Sequence, residues 1–229
     1  MKKKIVLSGD IVASTSLNVE EKITLEKKLN ELISILVENF PIYARIIKGD
    51  YLEVVVEKPE DALLVTLLIK SFVKSAIDDQ DNNSSRYKKF KNYGIRIAMG
   101  FGELSRYDKQ KGVIDGDAIY FSGRKINEEA STYNKQRIVI KNTLFFISED
   151  DNLNQMMDTI ISLLDVLIGN ATAKQCHILF LRLLGKSEKE ISTHLNIKQP
   201  TVNKQLTSIG WNAIDKSVNY FKETIKDYK

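Results

Sequence analysis

The 229-residue sequence predicts an α+β domain followed by an all-α domain. Through the first part of the chain, short runs rich in β-branched residues alternate with longer segments of helical spacing. From Ala171 onward every segment has helical spacing. The net charge differs between the same two parts of the chain. Residues 171–229 contain ten Lys/Arg and five Asp/Glu, whereas residues 1–170 contain twenty-four Lys/Arg and twenty-five Asp/Glu. We place the α+β domain at 1–150, a connector helix at 151–170 and the helical domain after it.

The α+β domain begins with signals for a strand, a helix and a hairpin. Lys3–Ser8 is a short apolar run, and Glu20–Phe40 repeats Leu and Ile at helical spacing until a proline ends it. Tyr43–Lys48 and Tyr51–Glu57 are rich in β-branched and aromatic residues. Only Gly49-Asp50 separates these two runs, which is typical of a tight hairpin.

The rest of this domain continues the alternation. A proline followed by two acids favours a helix start at Pro59. The remaining predicted elements are a helix over Pro59–Ile77, a polar loop over Asp78–Asn92, a strand over Gly94–Gly102, a helix over Asp115–Ser131, and short strands at Arg137–Ile140 and Leu144–Ile147. The first six elements have the order β-α-β-β-α-β, which predicts a ferredoxin-like split βαβ unit with antiparallel strands backed by helices.

Composition argues against several classes of protein. Cys176 is the single cysteine, which leaves no intramolecular disulfide and no cysteine-based zinc site. The apolar run Ile5–Leu7 behind the N-terminal lysines is too short for a signal peptide. No segment approaches the length of a membrane span. We expect a cytoplasmic protein.

Two Gly-Asp pairs place Asp10 and Asp50 where neighbouring strands of the predicted unit end. We therefore expect the two carboxylates to converge. Two carboxylates with phosphate oxygens are a common Mg²⁺ environment, and the carbonyl of Ile11 would add a ligand. Ser14 and Thr15 would supply hydroxyl and N–H groups to a phosphate near the next helix. The predicted cofactor is Mg²⁺, bound with a nucleotide.

The same segments have simpler interpretations. Gly-Asp is a common turn dipeptide, and Asp10 would then only cap a loop. Lys48 is either a phosphate contact or a counter-charge that replaces a metal. Glu53 alternates with apolar neighbours and is expected on the solvent face of its strand rather than as a third ligand. Tyr120 is expected in packing rather than in base stacking.

Four blocks of the first domain follow one another in the order of a known family. They are Asp10–Thr15, Gly49-Asp50, Gly94–Leu104 and Gly116–Arg124. Together they resemble the two metal motifs, the Arg-Ile-Gly-Ile-His-Thr-Gly-Glu strand and the Gly-Asp-Ala-Val-Asn-x-Ala-x-Arg helix of class III nucleotide cyclases. The resemblance covers about residues 4–140 and implies a nucleotide-cyclase-like fold with metal ligands at Asp10 and Asp50.

The catalytic positions of that family are matched only in part. Arg124 matches the arginine that offsets developing charge in the transition state, and its simpler interpretation is a surface residue of the helix. The family asparagine falls on Tyr120, and the lysine and aspartate that read adenine fall on Ile46 and Val113. The resemblance therefore implies that the metal-binding half is present and the adenine-reading half is missing.

A closer resemblance extends over nearly the whole chain. The matching segments are Gly9-Asp10-Ile11, Gly49-Asp50, Ile95–Gly102, Asp115–Ala118 and Arg124, followed by a predicted pair of short helices. The bacterial SatD-like proteins have the same series and end in a helix-turn-helix. This resemblance implies a domain order and says little about chemistry.

The C-terminal part has the signals of three helices joined by tight turns. Thr172–Gly185 is amphipathic and closed by glycine, and Ser187 with Glu190 makes a capping-box sequence. A turn at Asn196–Lys198 leads into a third helix with proline in its first turn. The apolar framework comprises Ile191, Leu195, Ile197, Val202 and Leu206. This pattern resembles the helix-turn-helix domains of sigma-factor region four and of LuxR-type regulators.

The third helix would present a polar outer face to a partner. Its predicted DNA-binding residues are Gln199, Thr201, Asn203, Lys204, Gln205 and Ser208. Gln and Asn can read adenine edges, whereas Lys, Ser and Thr suit phosphates or guanine. The net charge of +5 in residues 171–229 favours double-stranded DNA as the partner, although helix pairs of this kind also dock proteins.

We therefore expect a transcriptional regulator that binds DNA through its C-terminal domain. The first domain would bind a nucleotide with Mg²⁺ or act as a degenerate sensor, and readout of two half-sites would require a homodimer. The alternative is an enzyme, a metal-dependent nucleotide cyclase or another nucleotidyl-transferring protein, in which Arg124 offsets developing charge. A third interpretation is an interaction protein with an inactive cyclase fold.

Overall fold

The structure of the protein is a computed structural model. It describes residues 3–12, 14, 17–47, 49–76, 92–136 and 142–228, with the side chains of 130–136 left out of the description. The predicted strand at Arg137–Ile140 lies outside the described residues. So does the predicted loop at Asp78–Asn92, except for its last residue.

Among the residues that the structure describes, five strands form one mixed sheet, and two more form a small hairpin. The strands are β1 (Lys4–Ile11), β2 (Ile42–Ile47), β3 (Tyr51–Val56), β4 (Ile95–Gly102), β5 (Arg106–Asp108), β6 (Val113–Asp115) and β7 (Leu144–Ser148). The order across the main sheet is β2-β3-β1-β4-β7. All neighbours are antiparallel except β4 and β7, which are parallel. The predicted β-α-β-β-α-β order is confirmed, with β3 inserted between β1 and β2.

Helices make up the remainder of this mixed α+β fold. Those within the described residues are α1 (Val19–Asn39), α2 (Ala62–Ser75), α3 (Asp117–Gln136), α4 (Asp151–Gly169), α5 (Ala173–Leu183), α6 (Glu188–His194), α7 (Gln199–Ser208) and α8 (Trp211–Asp227). A 3₁₀ turn at Pro59–Asp61 precedes α2, so the helix begins after the predicted proline. Within the described ranges, no helix is both long and apolar enough to cross a membrane.

Local capping sequences fix where several helices begin. The Ser187 side chain accepts from the Glu190 N–H, and the Glu190 carboxylate accepts from the Ser187 N–H at 2.7 Å, so the predicted capping box is confirmed. Reciprocal pairs of the same kind, Asn18 with Glu21 and Thr172 with Gln175, start α1 and α5. Each box satisfies N–H groups that the first helical turn leaves without a partner.

The two faces of the main sheet are covered differently. Because side chains alternate across a strand, β1 presents Ile5 and Leu7 to one face and Ser8 and Asp10 to the other. The first face belongs to the main apolar core, which also contains buried leucines of α1 and α2. On the second face α3 packs closely, and the Ser8 hydroxyl lies 2.8 Å from that of Ser122. The predicted carboxylate site is on this second, more polar face.

The C-terminal helices pack directly on the sheet-bearing part of the chain. Phe180 of α5 meets Phe72 of α2 with ring centroids 5.1 Å apart, and Phe221 of α8 meets Phe146 of β7 at 6.0 Å. Phe221 and Ile214 are fully buried, so the apolar side of α8 packs into the core. One apolar cluster therefore runs through both predicted domains. The division at 150–170 stays a prediction.

A buried polar cluster ties α4 to the sheet. The Lys70 ammonium donates to the carbonyls of Tyr93 and Ile95, each at 2.7 Å, and to the Thr143 hydroxyl, and it lies 3.7 Å from Asp165 Oδ1. One helical turn along α2, Lys74 donates to the last carbonyls of α4, those of residues 168 and 169. A cation at this position complements the negative end of the helix dipole.

The small β5–β6 hairpin was missed by the sequence analysis. Its strands are three residues each, too short for an alternating pattern to be recognised. The hairpin lies over the second face of the sheet, where Arg45 of β2 donates to the carbonyl of Gly112. Gly112 has a φ of +63°, and a Cβ there would lie 3.0 Å from the Arg45 guanidinium. The hairpin thus shields the strand side chains beneath it.

Candidate functional site

The two predicted carboxylates lie at the same end of the main sheet. Asp10 is the penultimate residue of β1 and lies opposite Tyr51 of β3. Asp50 immediately precedes β3, after Gly49 with a φ of +81°, and its carbonyl accepts the Ile11 N–H at 3.1 Å. The predicted end of β1 at residue 8 was wrong, because β1 continues through the Gly-Asp pair. The two Gly-Asp segments therefore lie side by side, and convergence of the two carboxylates on one ion stays a prediction.

An arginine that the sequence analysis did not select faces Asp10 from the other side. Arg96 of β4 is directly opposite Asp10 in the antiparallel register, and its Nη1 lies 3.5 Å from Asp10 Oδ2. The Arg96 side chain is 5% exposed, compared with 30% for Asp10. A charged residue within the apolar strand Ile95–Gly102 was the available signal, because a buried charge requires a partner. Arg96 thus supplies one positive charge at the carboxylate pair.

The electrostatics of the pair favour a further cation or proton. The pKa of Asp10 is raised above its usual value, mainly by burial; the Arg96 charge opposes the increase and the Asp50 charge adds to it. The Ser14 hydroxyl donates to Asp50 Oδ2 at 2.8 Å. A site in which two carboxylates repel each other, with a hydroxyl beside them, has the donor chemistry of a Mg²⁺ site. Arg96 competes with such an ion for Asp10.

The other residues predicted for this site have different outcomes. Thr15 and Lys48 lie outside the described residues. The Ser14 hydroxyl donates a hydrogen bond to Asp50. A contact of Ser14 with phosphate and a metal bond from the Ile11 carbonyl both stay predictions. Among the side chains described, no group of three or more His, Cys, Asp or Glu residues is arranged to hold a metal. A metal at this site would therefore rest on Asp10 and Asp50.

Arg124 lies on the outer side of α3, in a shallow open groove. The groove is lined by Ile119, Tyr120, Gly123, Arg124, Asn127 and Glu128. Tyr120 is 59% exposed, and its hydroxyl donates to Asp115 Oδ1 at 2.8 Å. The expectation that Tyr120 serves in packing was wrong, because its ring projects from the helix toward solvent. Arg124 and Tyr120 both line this groove. A catalytic role of Arg124 together with the carboxylate site stays a prediction.

Two other residues named in the sequence analysis lie on opposite faces of the sheet. Ile46 packs against the main core, on the sheet face opposite Asp10, so it does not line the carboxylate site. Glu53 is buried rather than on a solvent face, because Arg45 binds it through Nε at 2.7 Å and Nη2 at 2.6 Å. The charge of Glu53 is paired with Arg45, and the expectation that Glu53 is not a third metal ligand stays a prediction.

A second candidate site is the pair of short helices α6 and α7. The turn between them contains Asn196 in the left-handed region, with a φ of +51°, and the Ile197 N–H donates to the Ser192 carbonyl at 3.0 Å. Ile191 of α6 and Val202 of α7 are fully buried, and Leu206 nearly so. These three apolar residues orient α7 with its polar side outward.

The predicted contact residues of α7 are accessible to different degrees. Gln199, Asn203, Lys204 and Ser208 are exposed, and Thr201 and Gln205 are half-buried. Asn203 Nδ2 donates to Glu188 Oε1 at 3.0 Å, and Gln175 Nε2 donates to the Ser208 hydroxyl at 3.3 Å. The sequence analysis did not select Glu188. Its contact with Asn203 joins two helices, and no local sequence pattern predicts a contact of that kind.

Comparison with known proteins gives a limited result. No family model matches the chain, and no curated protein matches it. Among solved structures, two of a bacterial light-regulated adenylyl cyclase are similar, each with 17% sequence identity and a TM-score of 0.42. The similarity covers 63% of this chain and 42% of the cyclase chain, so this protein spans less than half of that neighbour. A likeness of this size assigns no activity.

Proposed function

We propose that this protein is a DNA-binding transcriptional regulator of the SatD-like kind, with a helix-turn-helix formed by α6 and α7. The observation that carries the proposal is the orientation of α7. Val202 and Leu206 hold one side in the core, while Asn203 and Lys204 are exposed on the outer side. The net charge of +5 in residues 171–229 adds attraction to phosphate.

In this proposal α7 enters the major groove of a duplex. Asn203 and Gln199 have amides that match the adenine edge, and Lys204 is suited to a phosphate. Readout by one short helix covers only a half-site, so two copies of the chain would bind a two-fold site. The helix pair could instead bind another protein, and the DNA experiment must distinguish that role from DNA binding.

Titration of the full chain with a pool of random duplexes, at low and moderate salt, tests the DNA proposal. We expect salt-dependent binding, with Lys204→Ala weakening all duplexes similarly and lowering the salt slope by about one ion. On a selected site, Asn203→Ala should lower discrimination between bases by about 1–3 kcal/mol.

Lys226→Ala is the matched control for loss of one positive charge. Lys226 is exposed and lies on α8, roughly 22 Å along the helix axis from Trp211. It should change affinity much less than Lys204→Ala. A folded wild-type chain that shows no salt-dependent DNA binding would reject the regulator function and favour a protein dock.

We further propose that the first domain is cyclase-like and that Asp10 and Asp50 hold Mg²⁺ with a nucleoside triphosphate as an input to the regulator. The support is the raised pKa of Asp10 together with the hydroxyl of Ser14 beside Asp50. The ion would neutralise phosphate charge between the two carboxylates. Cyclisation of ATP is not expected, since Tyr120 stands at the family asparagine position and Ile46 packs into the core.

A thermal-shift titration with Mg²⁺ and each nucleoside triphosphate tests this input site. Wild type should be stabilised only when metal and nucleotide are both present, and Asp50→Asn should abolish the shift. Arg96→Met should instead enlarge it, because removing the guanidinium takes away the cation that pairs with Asp10 and so raises the affinity of the carboxylates for Mg²⁺.

Two results would contradict the input-site proposal. One is a wild-type protein that shows no joint effect of metal and nucleotide at millimolar concentrations, which would favour the turn interpretation of the Gly-Asp pairs. The other is Asp50-dependent formation of cyclic AMP, which would put the enzyme alternative first.

A further inference from the structure

The contact between Glu188 and Asn203 joins the two helices of the proposed DNA-reading pair. Glu188 is the first residue of α6, and Asn203 lies one turn into α7. Asn203 Nδ2 donates to Glu188 Oε1 at 3.0 Å. The contact therefore places a carboxylate beside the central polar side chain of α7.

The chemistry of this contact fixes how the Asn203 amide is oriented. A carboxylate only accepts hydrogen bonds, so the amide must turn its NH₂ group toward Glu188. One N–H is used in that bond. The carbonyl oxygen and the other N–H remain, and they form the donor–acceptor edge that pairs with N6 and N7 of adenine.

We infer that Glu188 is a positioning residue that holds Asn203 in the orientation that reads adenine. This inference rests on the proposed DNA-binding function and names a specificity determinant within it. Without Glu188 the Asn203 side chain would be free to rotate, and the amide would discriminate less between bases. The negative charge of Glu188 would also repel phosphates and lower the affinity for every duplex.

The structural roles around Glu188 are filled mainly by other residues, and Glu188 itself adds one carboxylate to the first turn of α6, a small contribution to stability. Ser187 and Glu190 cap the start of α6 reciprocally, and Ile191 with Val202 buries the contact between α6 and α7. An exposed side-chain hydrogen bond adds little to stability beyond these. Removal of Glu188 should therefore affect base discrimination rather than folding.

The experiment uses the full chain and a duplex selected from a pool with a randomised core. The position read by Asn203 is identified as the base pair at which Asn203→Ala loses discrimination. Glu188→Ala should reduce discrimination at that same pair by at least about fivefold, the lower end for one bidentate contact. Its thermal unfolding should match that of wild type.

Two further variants separate orientation from charge. Glu188→Gln keeps an acceptor oxygen for Asn203, so it should retain discrimination while binding all duplexes several-fold more tightly. In an Asn203→Ala background, Glu188→Ala should cause no additional loss of discrimination, because the side chain it orients is absent.

The possible results test the role of Glu188 separately from the proposed DNA-binding function. A wild-type chain without salt-dependent DNA binding removes both. Binding by the wild type with unchanged discrimination in Glu188→Ala overturns the inference and leaves the regulator function in place. The same holds if Asn203→Ala keeps full discrimination, because Asn203 then reads no base.

Discussion

Replacing Lys70 by methionine is expected to lower the free energy of unfolding by about 3–5 kcal/mol, the range for removing one member of a buried ion pair. The Lys70 side chain is fully buried. Its ammonium is held by two backbone carbonyls, the Thr143 hydroxyl and the Asp165 carboxylate. Methionine has a similar length but no donor. The Asp165 charge and two carbonyls would lose their common partner.

Urea unfolding of the variant and of wild type measures this effect. Lys28→Met is the matched control, because Lys28 also donates to a backbone carbonyl, that of Ala76 at 2.8 Å, but is only half-buried. The control should lose about 1 kcal/mol or less. Equal losses in the two variants would show that the buried cluster has no special role in stability.

The pH dependence of stability provides a second readout for Lys70. Burial is the main cause that lowers the Lys70 pKa from its usual value of 10.5 to about 8. Between these two values the unfolded chain binds the proton more tightly than the folded chain does. The contribution of this group to the free energy of unfolding therefore rises as pH increases from about 8 toward 10.5. Lys70→Met should lack that increase, so its stability should rise less with pH than that of wild type.

Gly100→Ala is expected to disrupt the packing of α3 on the sheet, with a loss of about 3 kcal/mol or more. A Cβ on Gly100 would lie 2.1 Å from the Ala118 carbonyl oxygen and 2.7 Å from the Ser122 nitrogen. Both are backbone atoms of α3, so relief requires the helix to move away from β4. That movement would also break the contact of Ser122 with Ser8.

Gly123→Ala is the matched control on the same helix. No heavy atom lies within 4 Å of a Cβ built there, and alanine favours the helical conformation over glycine. This variant should stabilise the protein by about 0.5–1 kcal/mol. Chemical unfolding of both variants measures the contrast, and a Gly100→Ala protein as stable as wild type would contradict the close packing of α3 on β4.

The site could be predicted in part, because the required information is local for some residues and not for others. The Gly49-Asp50 hairpin follows from two strand-type runs with a turn dipeptide between them. Asp10 follows from the Gly-Asp pair at the end of the first strand-type run. Arg96 depends on the pairing of β1 with β4, which are far apart in sequence, so no local pattern places it opposite Asp10.

Burial on the second face of the sheet was also outside the reach of sequence patterns. Glu53 alternates with apolar residues, as an exposed residue would, but Arg45 binds its carboxylate and also donates to the Gly112 carbonyl of the β5–β6 hairpin. Tyr120 was wrongly assigned to packing, because its side chain is exposed although an aromatic residue is usually covered. Whether a helical residue is covered depends on the elements that approach it, and none described here covers that side of α3.

By itself the sequence determined the order of the first six strands and helices, the capping of α6 by Ser187 and Glu190, and the polar outer side of α7. These features depend on hydrogen bonds and periodicities within a few residues. Only the tertiary structure decided that Arg96 faces Asp10, that Lys70 is buried against Asp165 and that Glu188 holds Asn203. Each of these contacts joins different elements, and such contacts form only once apolar packing has fixed strand register and helix position.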